Sequence, residues 1–249
     1  MAGFVLPEVP ALKLEMDEHH RHKDVYQHSL TVLEQAAELE TGDDGAVPGP
    51  DFILRFAALM HDVGKPATRR FEPAGGVSFR HHEVVGAKLT SKRMKALRFD
   101  NDSIKAVARL VELHMRFYGY GEAGWTDSAV RRYITDAGPV LERLHRLTRS
   151  DVTTRNKRKA DRLAFAYDDL ETRIEALRER EELEAVRPDL DGEQIMGLLG
   201  VKPGPVVGRA YKFLLNERME HGPLEAPEAE RKLRAWWAEQ PESADQSRT

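Results

Sequence analysis

A chain of 249 residues with 41% hydrophobic content is long enough to bury one sizeable core, or a core with an appendage. A formal net charge of -4 and a pI near 6.2 exclude a globally basic field, so contact with a phosphate backbone has to come from a local patch. The lack of cysteine excludes disulfides, thiolate zinc sites and a cysteine nucleophile, and no apolar run approaches the roughly 20 residues of a membrane span. MAGFVLPEVP has no basic start before an apolar stretch, so the expected location is the cytoplasm, with no membrane partner.

Apolar positions recur at intervals of three and four almost throughout, which predicts an all-α protein. Residues 1–17, with prolines and no amphipathic period, read as a lead-in. Asp24 to Glu40 is a predicted helix with Val25, Val32, Leu33 and Ala36 on one face, ended by TGDDGAVPGP. Phe52 to Met60 has almost no polar face and reads as a buried helix. TRRFEPAGGVSFR, with Gly75-Gly76 between short flanks, fits one small β-hairpin. Helices are then expected over His82–Leu97, Ser103–His114, Asp127–Thr135 and Pro139–Thr153, with Pro139 in a first turn where its missing N–H does no harm. Residues 18–155 therefore form one compact helical bundle.

Beyond Arg155 the pattern changes. Leu163, Tyr167, Leu170, Ile174 and Leu177 make a narrow stripe on a long charged helix, and two shorter helices follow, joined by a Gly/Pro turn. Pro227 opens a last helix ending near Trp236 and Trp237. Residues 156–240 read as a helical appendage and 241–249 as a disordered tail.

Histidines and carboxylates stand where helical periodicity reserves apolar positions. His28 falls three after Val25 and four before Val32; His114 falls four after Leu110; Asp151 falls four after Leu147. His61-Asp62 closes the apolar helix FAALM, and His82 opens HHEVVGAKL. Any one of these is most simply a hydrogen-bonded core residue. Together they would each carry a separate desolvation penalty, which one or two shared divalent cations would relieve. Imidazole and carboxylate donors without sulfur suit iron, manganese, cobalt, nickel or zinc. His19, His20 and His22 in DEHHRHKD, and His145 and His221 among charges, read as surface residues.

The order His28, His61-Asp62, Asp151 resembles the metal-binding signature of the HD-domain phosphohydrolase superfamily, over roughly Glu18 to Arg155. The resemblance implies an HD-domain helical bundle holding two divalent transition metals, with Asp62 bridging them, His28, His61 and Asp151 on one, and His82 and His114 on the other. His81 is the less favoured of the HH pair and is assigned to substrate. HKDVYQHSLTVLEQA, WTDSAVRRYITDAG, DVTTRNKRKA and DGEQIMGLLGVKPGPVVGRAY further resemble the HD-containing carboxyl portion of actinobacterial-type tRNA nucleotidyltransferases. Such enzymes begin with a sheet-bearing head whose paired aspartates hold Mg2+. Nothing before Met16 resembles it, and Asp43-Asp44 lies in a glycine-rich loop, so nucleotide addition is not expected of this chain.

The resemblance implies metal-dependent hydrolysis of a phosphate ester, with 2′,3′-cyclic nucleotides, 2′-nucleotides or RNA ends as substrates. Asp62 would orient the attacking water. Lys65, one turn past the pair, and Arg155, just after Asp151, are candidate phosphate contacts. The alternative is a non-catalytic tRNA-binding module, in which TRNKRKADR with Arg143, Arg146 and Arg149 upstream tracks a phosphate backbone.

Overall fold

The computed structural model describes residues 5–14, 24–43, 45–73, 76–118, 120, 124–181 and 188–246. Among the described residues the fold is all-α apart from one two-stranded antiparallel hairpin, β1 (Arg70–Phe71) with β2 (Val77–Ser78), in which Arg70 faces Ser78 and Phe71 faces Val77. The chain divides into two compact units, residues 1–124 with 136–169, and residues 125–135 with 170–249.

In the first unit the helices are α1 (Glu8–Ala11), α2 (Val25–Glu38), α3 (Phe52–Met60), α4 (Lys65–Thr68), α5 (His82–Ala96) and α6 (Asn101–Leu113). A second stretch adds α8 (Leu141–Ser150) and the start of α9 (Lys157–Glu181), while most of α7 (Asp127–Ala137) lies in the second unit. Aspartates start the helices that matter most: Asp24 Oδ1 accepts from the Tyr26 N–H, Asp51 Oδ1 from Leu54 and Asp100 Oδ1 from Ser103, each satisfying an orphan donor of the first turn. Helix α3 packs on α2 and α6, α6 packs on α5, and α8 closes over α2 and α3. Their shared core contains Val32, Leu54, Met60, Met94, Leu110, Leu144 and Leu147, all fully buried.

Some expectations are corrected. The described part of the lead-in, residues 5–14, is packed although it lacks local periodicity: Leu12 and Val9 are buried, and Glu8 pairs with Arg93, 85 residues away. Helix α3 is less uniformly buried than its apolar run implies, because Phe52 is exposed and Arg55 reaches back to Glu40 at 2.6–2.7 Å. Pro139 sits in a 3-10 turn, Gly138–Val140, that leads into α8 and precedes it. Part of the expected tail, Pro241–Gln246, is a short helix, α13, begun by proline and steadied by the Ser243 hydroxyl donating to the Gln240 carbonyl. The triplet His19, His20 and His22, and Asp44 and Gly75, lie outside the described residues.

The second unit is built from α10 (Gly192–Leu199), α11 (Pro205–His221), α12 (Ala226–Ala238) and α13, with the far part of α9 and most of α7. Asp191 and Gln194 form a reciprocal capping box on α10, and Gly200 ends it at φ 65, a left-handed conformation that favours glycine. Ile195, Leu199, Ala210, Leu214, Ala229 and Leu233 make its core. At its other side the buried Arg131 guanidinium grips Glu181 through two bonds of 2.7 and 2.8 Å and donates to the Met219 and Glu220 carbonyls.

Candidate metal centre

The helix ends in the first unit gather the residues picked out by sequence. His61 is the C-cap of α3, His114 the C-cap of α6 and Asp151 the C-cap of α8. Asp62 follows His61 directly, His82 is the first residue of α5, and His28 lies one turn into α2. Asp151 was expected inside a helix reaching Thr153; α8 stops at Ser150 instead, and Asp151 follows as its C-cap, still helical in backbone and donating its N–H to the Leu147 carbonyl. Three helix C-termini thus point their negative dipole ends at one place. A carboxylate at such an end is destabilised unless positive charge joins it.

Among the described residues, two groups of histidine and carboxylate donors lie close enough to share a cation. They are His28, His61 and Asp151, and Asp62, His82 and His114, with the donor atoms of each group within 4.8 Å of one another. His28 Nε2 lies 2.9 Å from Asp151 Oδ1, and His61 Nε2 lies 3.6 Å from the same oxygen. Asp62 faces both groups. Its Oδ2 is 3.3 Å from His61 Nε2 and 3.8 Å from His28 Nε2, while its Oδ1 is 3.3 Å from His82 Nε2.

The imidazoles are aimed by the backbone. The Nδ1 atoms of His61, His82 and His114 lie 2.8, 2.9 and 2.7 Å from the carbonyls of Ala58, Phe79 and Val111, each three residues earlier. Donation of Nδ1–H there fixes the tautomer, so each ring presents an Nε2 lone pair to the centre. The consequence at His82 and His114 is two lone pairs 3.2 Å apart, an arrangement that calls for a cation between them or a proton. His61 Nε2 is buried with no hydrogen-bond partner among the described residues. The donor set, the convergent helix C-termini and this orphaned nitrogen all fit divalent transition metals.

The electrostatics run the same way. Burial raises the carboxyl pKa values of Asp62 and Asp151, but the surrounding histidines, and Lys65 beside Asp62, outweigh it and hold both well below the usual range. Burial opposes a proton on His61, yet Asp62 and Asp151 lift its pKa to about 10. His114, buried and near His61 and His82, is pushed down to about 3. The two carboxylates draw positive charge to the centre, and His114 stays a neutral donor.

Lys65 reaches the same place: its Nζ lies 2.9 Å from Asp62 Oδ2, and its side chain is only 12% exposed. His81 does not join the donors. Its backbone is left-handed, φ 63, which histidine tolerates better than most residues, and its side chain is 82% exposed while His82 turns inward. Arg155 is exposed on the segment that follows Asp151. Of the proposed basic track, Arg143, Arg146 and Arg149 are engaged by Asp51, Glu142 and Asp168, which leaves the exposed Arg155, Lys157, Arg158, Lys159 and Arg162.

One histidine was misjudged. His145 is buried, at 4% exposure, and not on the surface. It falls four after Leu141 and three before Thr148, both buried on α8, a spacing that the neighbouring arginines obscured. His221 is exposed as expected.

The HD domain family profile matches residues 25–172, which contain every donor described above. The chain is 33% identical over 221 residues to the A-adding tRNA nucleotidyltransferase of Deinococcus radiodurans, covering 88% of this chain and 48% of that protein. It is 32% identical over 240 residues to the CC-adding tRNA nucleotidyltransferase of Thermus thermophilus, covering 95% of this chain and 50% of that one. A shorter match of 101 residues, at 39% identity, joins 41% of the chain to 20% of the multifunctional CCA protein of Methylococcus capsulatus. The chain spans about half the length of the first two relatives. With the profile covering more than half of its residues, the chain belongs to the HD domain family.

Proposed function

We propose that this chain is a metal-dependent phosphohydrolase acting on nucleotides or RNA ends, with 2′,3′-cyclic phosphates and 2′-phosphates as its substrate class. The observation that carries the reading is the meeting of two donor groups at Asp62, whose Oδ2 faces His61 and whose Oδ1 faces His82. One divalent cation would be held by His28, His61 and Asp151 and a second by His82 and His114, with Asp62 available to both. Bound there, such cations supply a water activated near neutral pH and positive charge for phosphate oxygens.

The protein's own groups do the rest. The backbone carbonyls of Ala58, Phe79 and Val111 keep three imidazoles from rotating, and Asp62, 2% exposed, holds its carboxylate where bulk water does not compete. Lys65 has four side-chain torsions and its ammonium lies close to Asp62, so it is suited to meet a phosphate oxygen of the substrate. Arg155 and the exposed His81 are outer contacts for the rest of a nucleotide or RNA end.

The test is release of product from 2′,3′-cyclic AMP and 2′-AMP with added Mn2+, Ni2+ or Co2+. Turnover abolished by Asp62→Ala, and lowered about a hundredfold by Lys65→Ala with metal retained, is the expected result. A metal-loaded protein that hydrolyses none of these substrates overturns it. A second reading, a tRNA-binding module without turnover, is favoured by the exposed basic start of α9 and by the names of the relatives. Retained tRNA binding in the absence of hydrolysis would select it.

A further inference from the structure

The anchoring of His28 differs from that of the other histidines of the centre. His61, His82 and His114 each rest on a backbone carbonyl three residues earlier, a partner that no substitution removes. The Nδ1 of His28 instead lies 3.2 Å from the Thr153 hydroxyl oxygen, 125 residues away in sequence. Its Nε2 lies 2.9 Å from Asp151 Oδ1. Both edges of one ring therefore face a single stretch, residues 151–153, that leaves the end of α8 without regular secondary structure.

We infer that Thr153 is a positioning residue for the metal centre: its hydroxyl oxygen accepts the His28 Nδ1–H and thereby aims Nε2 at the cation shared with His61 and Asp151. The inference rests on the two-cation reading above. The consequences follow from the geometry. An imidazole on the middle of a helix turns about its last side-chain torsion with little hindrance unless its far nitrogen is held. When Thr153 holds it, the ring and the Asp151 carboxylate move as one unit, because both depend on the same short segment. The His28 ring is thus fixed by tertiary structure, whereas the His61, His82 and His114 rings are each fixed by local backbone. Of these four anchors, only that of His28 is a side chain that a substitution can remove.

The experiment titrates the intact chain with Co2+, following the visible absorption of the bound ion, and compares Thr153→Val and Thr153→Ser with the wild type. Valine keeps the shape and removes the acceptor; serine keeps the acceptor. Thr153→Val is expected to weaken one of two Co2+ sites by about ten- to hundredfold and to leave the other within a factor of about three, with serine restoring the loss. The exchange-protected Nδ1–H resonance of His28 disappears in valine alone. A wild type that binds Co2+ while valine matches it at both sites overturns this inference and leaves the two-cation reading intact. So does an equal loss in valine and serine, which would assign the effect to packing. A wild type that binds no Co2+ overturns both.

Discussion

Gly64, in the string HDVGK, gives a sharp test of how the centre is assembled. Its backbone is ordinary, φ -79 and ψ -17, so conformation does not require glycine. Space does. A Cβ at residue 64 would lie 2.0 Å from the His82 carbonyl oxygen and 2.7 Å from the Gly86 nitrogen, both backbone atoms of α5. Against a normal contact of about 3.5 Å, the first turn of α5 has to retreat by roughly 1 Å or more. Overpacking of this kind costs about 1–3 kcal/mol, and Gly64→Ala belongs at the top of that range because no flexible side chain can give way. The same retreat draws His82 Nε2 away from Asp62 Oδ1, now 3.3 Å apart, by more than the ~0.2 Å that a ligand sphere tolerates. Urea denaturation of Gly64→Ala is therefore expected to show a loss near 3 kcal/mol, and metal titration the selective weakening of the Asp62, His82 and His114 site. Gly86→Ala is a milder control, since its Cβ would meet the Gly64 nitrogen and Val111 at 3.3 Å. A Gly64→Ala protein with wild-type stability and wild-type metal affinity would refute the reasoning.

Other outcomes follow from groups away from the centre. Arg131→Met removes both bonds to Glu181 and leaves a carboxylate of 6% side-chain exposure with Arg180 as its remaining cation, so the urea midpoint should report a loss of about 3 kcal/mol; adding Glu181→Gln should recover part of it. A loss below about 1 kcal/mol would mean that Glu181 finds other solvation. Asp51 is buried, which raises its pKa, but Arg143 and the first-turn N–H groups of α3 outweigh this and lower it below 3.8. A depressed carboxyl contributes stability that is present above its unfolded pKa and lost as pH falls through the folded value. Asp51→Asn, which keeps a capping oxygen, should thus cost about 1–3 kcal/mol at pH 7 and nothing once the pH is well below 3.8. A difference that persists unchanged into acid would contradict the ion pair with Arg143.

Much of this was legible in the sequence because the relevant signals are local. The boundaries of α3 were read from an apolar run, and those of α2, to within two residues, from period and the turn-rich TGDDGAVPGP. The donors were legible because a histidine or aspartate on an apolar stripe contradicts its surroundings, as His28 does between Val25 and Val32. What was missed depends on distant partners or on competing local signals. Val9 and Leu12 are buried although their segment has no amphipathic period, and Arg131 and Glu181 meet across 50 residues. His145 was misjudged although its spacing from Leu141 was visible, since Arg143 and Arg146 made the stretch look solvated. The role of helix C-termini was likewise hidden: that His61, His114 and Asp151 all cap helices is a property of where the chain leaves each helix, and boundaries are the least certain product of periodicity.

The central claim is that a pair of cations is held at the end of α3. It is tested most directly by elemental analysis of the purified chain after loading with Mn2+, Co2+, Ni2+ or Fe2+ and removal of excess metal, beside Asp62→Ala and His61→Ala. The account predicts about two metal ions per chain in the wild type, and a marked loss in both variants. A wild type that retains no transition metal, or an Asp62→Ala protein that retains the full complement, would contradict it.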